Sequence, residues 1–167
     1  MKKLIIVALA LVGCAENPPQ IEKVSEVEYK VTGKLHKAEY DEIISIVKLH
    51  PNEHINFYVT SLGGTSEDLL LAMDAVHDHG MTHWYSVGQC DSACAVMALA
   101  THHANGEIKL HSFYSRHHHE VHAAPGFNSI ILDRLESYGY DRNKLGPMFR
   151  TVEDMCSINV LDGEIVK

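Results

Sequence analysis

The 167-residue sequence is short of positive charge, of long apolar runs and of metal-binding signatures. It carries 14 Lys and Arg against 22 Asp and Glu, a formal net charge of −8. A protein that grips nucleic acid needs a basic face to displace counterions, so that class drops out. No apolar run reaches the roughly 20 residues of a membrane-spanning helix. Eleven glycines and five prolines are too few for a fibrous or low-complexity chain. Neither H-E-x-x-H nor C-x-x-C occurs, so the strong zinc patterns are missing. What is there is ordinary globular composition, 46% hydrophobic and 22% charged, sized for one domain. Two features stand out: 13 histidines, and a short apolar segment at the N-terminus.

Lys2 and Lys3 precede an unbroken apolar run from Leu4 to Val12, too short for a bilayer but suited to an export signal. The run ends in Leu11-Val12-Gly13-Cys14, which resembles the lipobox of bacterial lipoproteins. That resemblance implies cleavage before Cys14, lipid on Cys14 (palmitate among its acyl chains), and a protein held on a bilayer by ~0.8 kcal/mol per buried methylene. The alternative, a buried first strand and a chance cysteine, leaves the order of lysines, apolar run and cysteine unexplained. Ala15 after the cysteine, rather than Asp, resembles sorting to the outer membrane, facing the periplasm. The expected organisation is a signal peptide over 1–13, a lipidated cysteine and tether over 14–26, and one domain over 27–167. Export places the chain in an oxidising compartment. Cys90, Cys94 and Cys156 then remain, enough for one internal bridge, and Cys90 with Cys94 is the favoured pair.

The body alternates strands and helices. Val27 to Val31 alternates as a strand ending at Gly33. Tyr40, Ile43, Ile44 and Val47 recur at helical spacing, and that helix stops before Pro51. Ile55, Phe57 and Val59 make a second strand, running into Gly63-Gly64. Ser66 is a suitable N-cap, with Glu67 and Asp68 in the first turn, for a helix burying Leu69, Leu70, Met73 and Val76 up to Gly80. His83 to Val87 is a third strand, Ser92 to Ala100 a buried helix, and Ile108 to Leu110 a fourth strand. Phe127, Ile130, Ile131, Leu135 and Tyr138 give a helix closed by Gly139. A short helix near Leu145 to Phe149 and an irregular tail, with Val160 and Ile165 able to pack, complete the chain. Strands separated by helices imply an α/β fold with a mainly parallel sheet flanked by helices. Ligands gather at the carboxyl ends of such strands. That rule puts Gly63-Gly64, Ser92 and His111 on one rim.

A serine at a strand-to-helix turn stands clear of the sheet beside free helix N–H groups. A nearby histidine can take its proton, and glycine backbone can approach a substrate to hold an oxyanion. The pattern is not the G-x-S-x-G elbow, because Cys90 and Cys94 stand where its glycines would be. Singly, Ser92 reads as an N-cap, Gly63-Gly64 as a tight turn and His111 as a strand-end residue. Their shared rim favours chemistry.

Three segments carry a family resemblance: Tyr58-Val59-Thr60-Ser61-Leu62-Gly63-Gly64, Gly88-Gln89-Cys90-Asp91-Ser92-Ala93-Cys94, and Ile108-Lys109-Leu110-His111-Ser112. Together they resemble the Clp-protease proteolytic-subunit/crotonase superfamily, and within it an exported ClpP-like branch. The resemblance runs from Val31 to His111 and more weakly to Asp154. It implies a spiral of ββα units and a serine hydrolase, peptidase-like, needing no cofactor. Ser92 matches the nucleophile and His111 the general base. The oxyanion hole falls to Gly63, Gly64 and Ala93. Peptide or protein substrates and homo-oligomers are the implied partners. The sequence departs from the pattern twice. Leu62 stands where proline is common, and no carboxylate occurs near Pro147-Met148, where the orienting acid aligns. Asp154 is the expected substitute, with Glu153 beside it.

His117, His118, His119 and His122 form a dense group around Glu120. Zn²⁺ or Cu²⁺ would suit such imidazoles, although the spacing is no standard pattern, and a solvated histidine-rich loop is the plainer expectation. Two functions therefore stand against each other: a membrane-anchored periplasmic serine hydrolase, and a catalytically inactive lipoprotein on the same scaffold acting as a binding or metal-binding module.

Overall fold

The apolar stretch after Ser92 becomes the buried centre of the molecule. The computed structural model describes residues 20–117, 120–149 and 155–166. In it α3 (Ala93–Ala100) is buried at every position. A helix apolar all round has no solvent face to offer, and here small side chains let neighbouring elements close on it.

Around α3 the chain runs β1 (Ile21–Lys23), β2 (Glu28–Thr32), α1 (Lys37–Leu49), β3 (Ile55–Ser61), α2 (Leu69–His79) and β4 (Thr82–Cys90). After α3 come β5 (His103–Leu110), β6 (Tyr114–His117), β7 (Glu120–Ala123), α4 (Pro125–Ser137), α5 (Arg142–Leu145), a 3₁₀ turn (Gly146–Phe149), β8 (Cys156–Leu161) and β9 (Glu164–Val166). Seven strands form one sheet in the order β1-β2-β3-β4-β5-β8-β9, and β6 with β7 forms a separate ribbon. β2 to β5 are parallel, and the outer pairings are antiparallel. This is a mixed α/β fold with a mainly parallel sheet flanked by helices. The period-two pattern of Ile55, Phe57 and Val59 buries one face of β3. Tyr40, Ile43, Ile46 and Val47 bury one stripe of α1.

Four expectations are corrected. The tether expected over 14–26 yields at Ile21: β1 pairs antiparallel with β2, Ile21 opposite Val31, and Ile21 is buried. One apolar residue among charges gives no alternation to read. α2 begins at Leu69 with its N-cap at Asp68, not at Ser66, because Asp68 takes φ 60°, outside the helical region, and the 63–65 segment before it pairs with Leu35. Leu35 donates to the Gly63 carbonyl at 2.9 Å and accepts from Thr65 N–H at 2.9 Å, which keeps that stretch extended. The tail expected to be irregular is a β-hairpin, with β8 pairing along Gly106–Leu110 of β5 and burying Ile158 and Val160. The histidine-rich segment, expected as a loop, carries the β6–β7 ribbon. Residues 1–19, with Cys14, lie outside the described residues, as do His118, His119, Glu153 and Asp154. Among the described residues no helix is long and apolar enough to cross a membrane.

Candidate active site at the ends of the parallel strands

Because β3, β4 and β5 run parallel, their carboxyl ends present three turns side by side. The first turn is set by Ser61, buried at the end of β3, whose Oγ accepts the Gly63 N–H at 3.1 Å. That bond turns Leu62 outward and uses up the Gly63 donor. Gly63 has φ +85°, and a Cβ there would stand 2.6 Å from both the Asp91 carbonyl oxygen and Ser92 Cβ. Only glycine lets this turn press against the next one.

The second turn carries Ser92, at φ 57° and ψ −122°. A left-handed φ is costly for a residue with a Cβ, about 1–3 kcal/mol. Three main-chain bonds hold it. Ser92 N–H donates to the Lys109 carbonyl at 2.8 Å, Asp91 N–H to Ser61 at 3.0 Å, and Cys94 N–H to Asp91 at 3.1 Å. A disulfide joins Cys90 to Cys94 across the turn, their Cα atoms 5.2 Å apart. Ser92 occupies the N-cap position of α3, yet its side chain caps nothing. Its hydroxyl has no hydrogen-bond partner among the described residues, so the plain capping role does not account for it. The N–H groups of Gly64 and Ala93 also lack partners there.

The third turn places His111 after β5, buried, with Nδ1 2.7 Å from the Ser112 carbonyl oxygen. A carbonyl can only accept, so Nδ1 carries the proton and Nε2 of the neutral ring keeps its lone pair. Ser92 and His111 line one cleft of about 820 Å³, with Leu62, Gly63, Gly64, Lys34, Phe113, Tyr114, Phe127 and Met155. No hydrogen bond joins the Ser92 hydroxyl to His111. Such bonds often tighten only when substrate binds.

Two expected site residues stand differently from the sequence-based assignment. Gly63 is a spacer rather than an oxyanion donor, since its N–H is committed to Ser61. Asp154 lies outside the described residues. Of the histidine group, His117 and His122 fall on β6 and β7. Among the described residues no group of three His, Cys, Asp or Glu side chains is placed to hold a metal ion. Sequence reasoning missed Asp91. It is 1% exposed and precedes Ser92 in the chain, one carboxylate oxygen accepting from Gln89 and the other without a partner among the described residues. No local pattern marks a buried aspartate next to a serine.

Of the other described histidines, His36 lines the same cleft, and two groups gather elsewhere. At the amino ends of the same strands, His54 Nδ1 lies 3.0 Å from His83 Nε2, and the His83 and His103 rings stack at 4.5 Å. Burial, reinforced by His103 and His54, holds the His83 imidazole below its ordinary value. A second cavity of about 450 Å³ is bordered by His77 stacked between His102 and Tyr138. Among the described residues no serine or cysteine lines it.

No protein-family profile matches this sequence, and no curated protein is similar to it at a significant level. Solved structures are similar. The membrane-bound stomatin-specific protease 1510-N, in a serine-to-alanine mutant, superposes with a TM-score of 0.60 at 15% identity, over 78% of this chain and 70% of that one. A lysine-to-alanine mutant of 1510-N in complex with a substrate peptide gives 0.60 at 16% identity, over 78% and 66%. The ClpP protease catalytic domain from Plasmodium falciparum gives 0.56 at 17%, over 78% and 75%. At such identities the likeness is one of architecture, in keeping with the mainly parallel sheet flanked by helices: this chain has the ClpP-like α/β fold.

Proposed function

We propose that this protein is an exported, lipid-anchored serine hydrolase that cleaves peptides. The observation that carries the proposal is the Ser92 turn: a left-handed serine with an uncommitted hydroxyl, in one cleft with a histidine whose Nδ1 proton is already placed. Ser92 Oγ attacks the substrate carbonyl carbon and passes its proton to His111 Nε2. The oxyanion is held by the N–H groups of Gly64 and Ala93. The protonated His111 then gives its proton to the leaving amine, and the acyl-enzyme is released by water that His111 activates in turn. The protease neighbours, one with a substrate peptide, support peptides as the substrate class. Anchoring through Cys14 rests on the N-terminal sequence alone.

Fluorophosphonate labelling of the form starting at Ala15 tests the chemistry. Labelling is expected in the wild type, to vanish in Ser92→Ala and to drop at least a hundredfold in His111→Ala, in line with the weight of a general base (roughly 10²–10⁴). Absence of labelling under both oxidising and reducing conditions would leave the inactive binding lipoprotein. Detergent-phase partitioning of the full chain, lost in Cys14→Ser, tests the anchor.

A further inference from the structure

A nucleophile and base need something to fix the base's orientation. No carboxylate bonds to His111 among the described residues, and its Nδ1 proton goes to the Ser112 carbonyl at 2.7 Å. That carbonyl belongs to a two-residue segment pinned from α4. Asn128 Nδ2 donates to Ser112 Oγ at 2.6 Å, and Phe113 N–H donates to Asn128 Oδ1 at 2.8 Å. Ser112 Oγ donates onward to the Phe113 carbonyl at 3.1 Å, which also accepts the Ala124 N–H at 2.7 Å. Ser112, Phe113 and Asn128 are all buried.

Asn128 sits on the buried face of α4 with Ile131, Leu132 and Leu135. An amide in that setting is costly unless both its ends are bonded. Here both ends are spent on the residues that follow His111. A leucine would pack there but would leave the buried Phe113 N–H without its acceptor, so packing alone does not explain the amide. What the amide adds is a fixed direction for the 112–113 backbone.

We infer that the Ser112 main-chain carbonyl orients His111 in place of a triad acid, and that Asn128 is the positioning residue that holds this carbonyl on target. The inference rests on His111 being the base, as proposed above. The carbonyl fixes the tautomer with the proton on Nδ1, leaving Nε2 to receive the Ser92 proton. Asn128 touches neither substrate nor the reacting atoms and acts through the backbone of residues 112 and 113.

The test uses the full chain in detergent, labelled with ¹⁵N-histidine, with the His111 signals assigned by their loss in His111→Ala. At a pH where the ring is neutral, the wild type is expected to show a protonated Nδ1 and a bare Nε2. Asn128→Leu is expected to give mixed tautomers and to slow fluorophosphonate labelling at least about tenfold, a fraction of what a general base supplies. Asn128→Asp keeps an acceptor for Phe113 N–H and for the Ser112 hydroxyl, and is expected to restore the single tautomer and most of the rate. Should Asn128→Leu not fold, the wild-type tautomer and the Ser112→Ala variant, expected to slow labelling at least twofold, decide the matter. A wild-type ring protonated on Nε2 overturns the inference. So does Asn128→Leu with tautomer and rate unchanged, or a hundredfold loss in Asp154→Asn beside little loss in Asn128→Leu. Absent wild-type labelling with the Nδ1 proton in place sinks the proposed hydrolase instead, and leaves the positioning network standing.

Discussion

The two ends of the parallel strands hold the same kind of side chain in opposite circumstances. At the amino ends, His54, His83 and His103 bond and stack with one another, half-buried or exposed. At the carboxyl ends, one histidine is buried, has no imidazole partner among the described residues and donates an Nδ1–H hydrogen bond to a backbone carbonyl beside a strained serine. In a chain with 13 histidines, number therefore says little about chemistry. A ring that shares its nitrogens with other rings is satisfied by them. A ring with one nitrogen fixed and the other facing a cleft is available for proton transfer.

The sharpest break between the two ends is expected from substitution. Ser92→Ala should remove fluorophosphonate labelling altogether, while the double variant His54→Ala/His83→Ala should label within about twofold of the wild type. Comparable losses from both would erase the distinction. Next come the glycines. Gly63→Ala combines φ +85° with a Cβ 2.6 Å from Ser92 Cβ, whereas Gly80→Ala meets nothing within 4 Å at φ +71°. Urea unfolding should show a loss of about 2–5 kcal/mol for Gly63→Ala and about 1–2 kcal/mol for Gly80→Ala, because only the first adds crowding to backbone strain.

The disulfide gives a smaller effect. Closing a five-residue loop constrains the unfolded chain by about 2 kcal/mol, similar to the cost of the Ser92 backbone. Replacing Cys90 and Cys94 together by Ala should lower Tm by roughly 4–8 °C. It should slow labelling roughly tenfold or more as Ser92 loses its set position. Unchanged labelling would show that the three main-chain bonds hold Ser92 unaided.

The smallest effect belongs to the amino ends. Folding holds the His83 imidazole below its unfolded value, so the unfolded state binds more protons. Stability is then complete above about pH 6.5 and falls as pH drops through the lowered folded value. Thermal melts at pH 7.5 and 5 should differ less in His83→Gln than in the wild type. An unchanged difference would assign the acid sensitivity to other groups.

Much of the carboxyl-end rim was legible in the sequence, because the order strand, helix, strand forces Gly63, Ser92 and His111 to one side. The edges were not. β1 and β8 owe their form to the strands they pair with, Val31 on the next strand for Ile21 and Ile108, far back along the chain, for Ile158. The alternation of Ile158 and Val160 offered a strand signal, but the six-residue strand shows its use only against the open flank of β5. Within the site, residue identities were readable and donor availability was not. Whether the Gly63 N–H is free depends on a hydroxyl two residues back. The partner of His111 is a backbone oxygen, which every residue possesses and no pattern can mark.

That last partner changes how the site meets acid. An aspartate or glutamate behind a histidine gathers a proton near pH 4 and then stops accepting in the same way. The Ser112 carbonyl binds no proton in that range and loses no charge. Nor can any substitution at position 112 delete it, since the acceptor is main chain. With such a partner, the direction of the His111 ring does not depend on a neighbouring carboxyl group staying ionised.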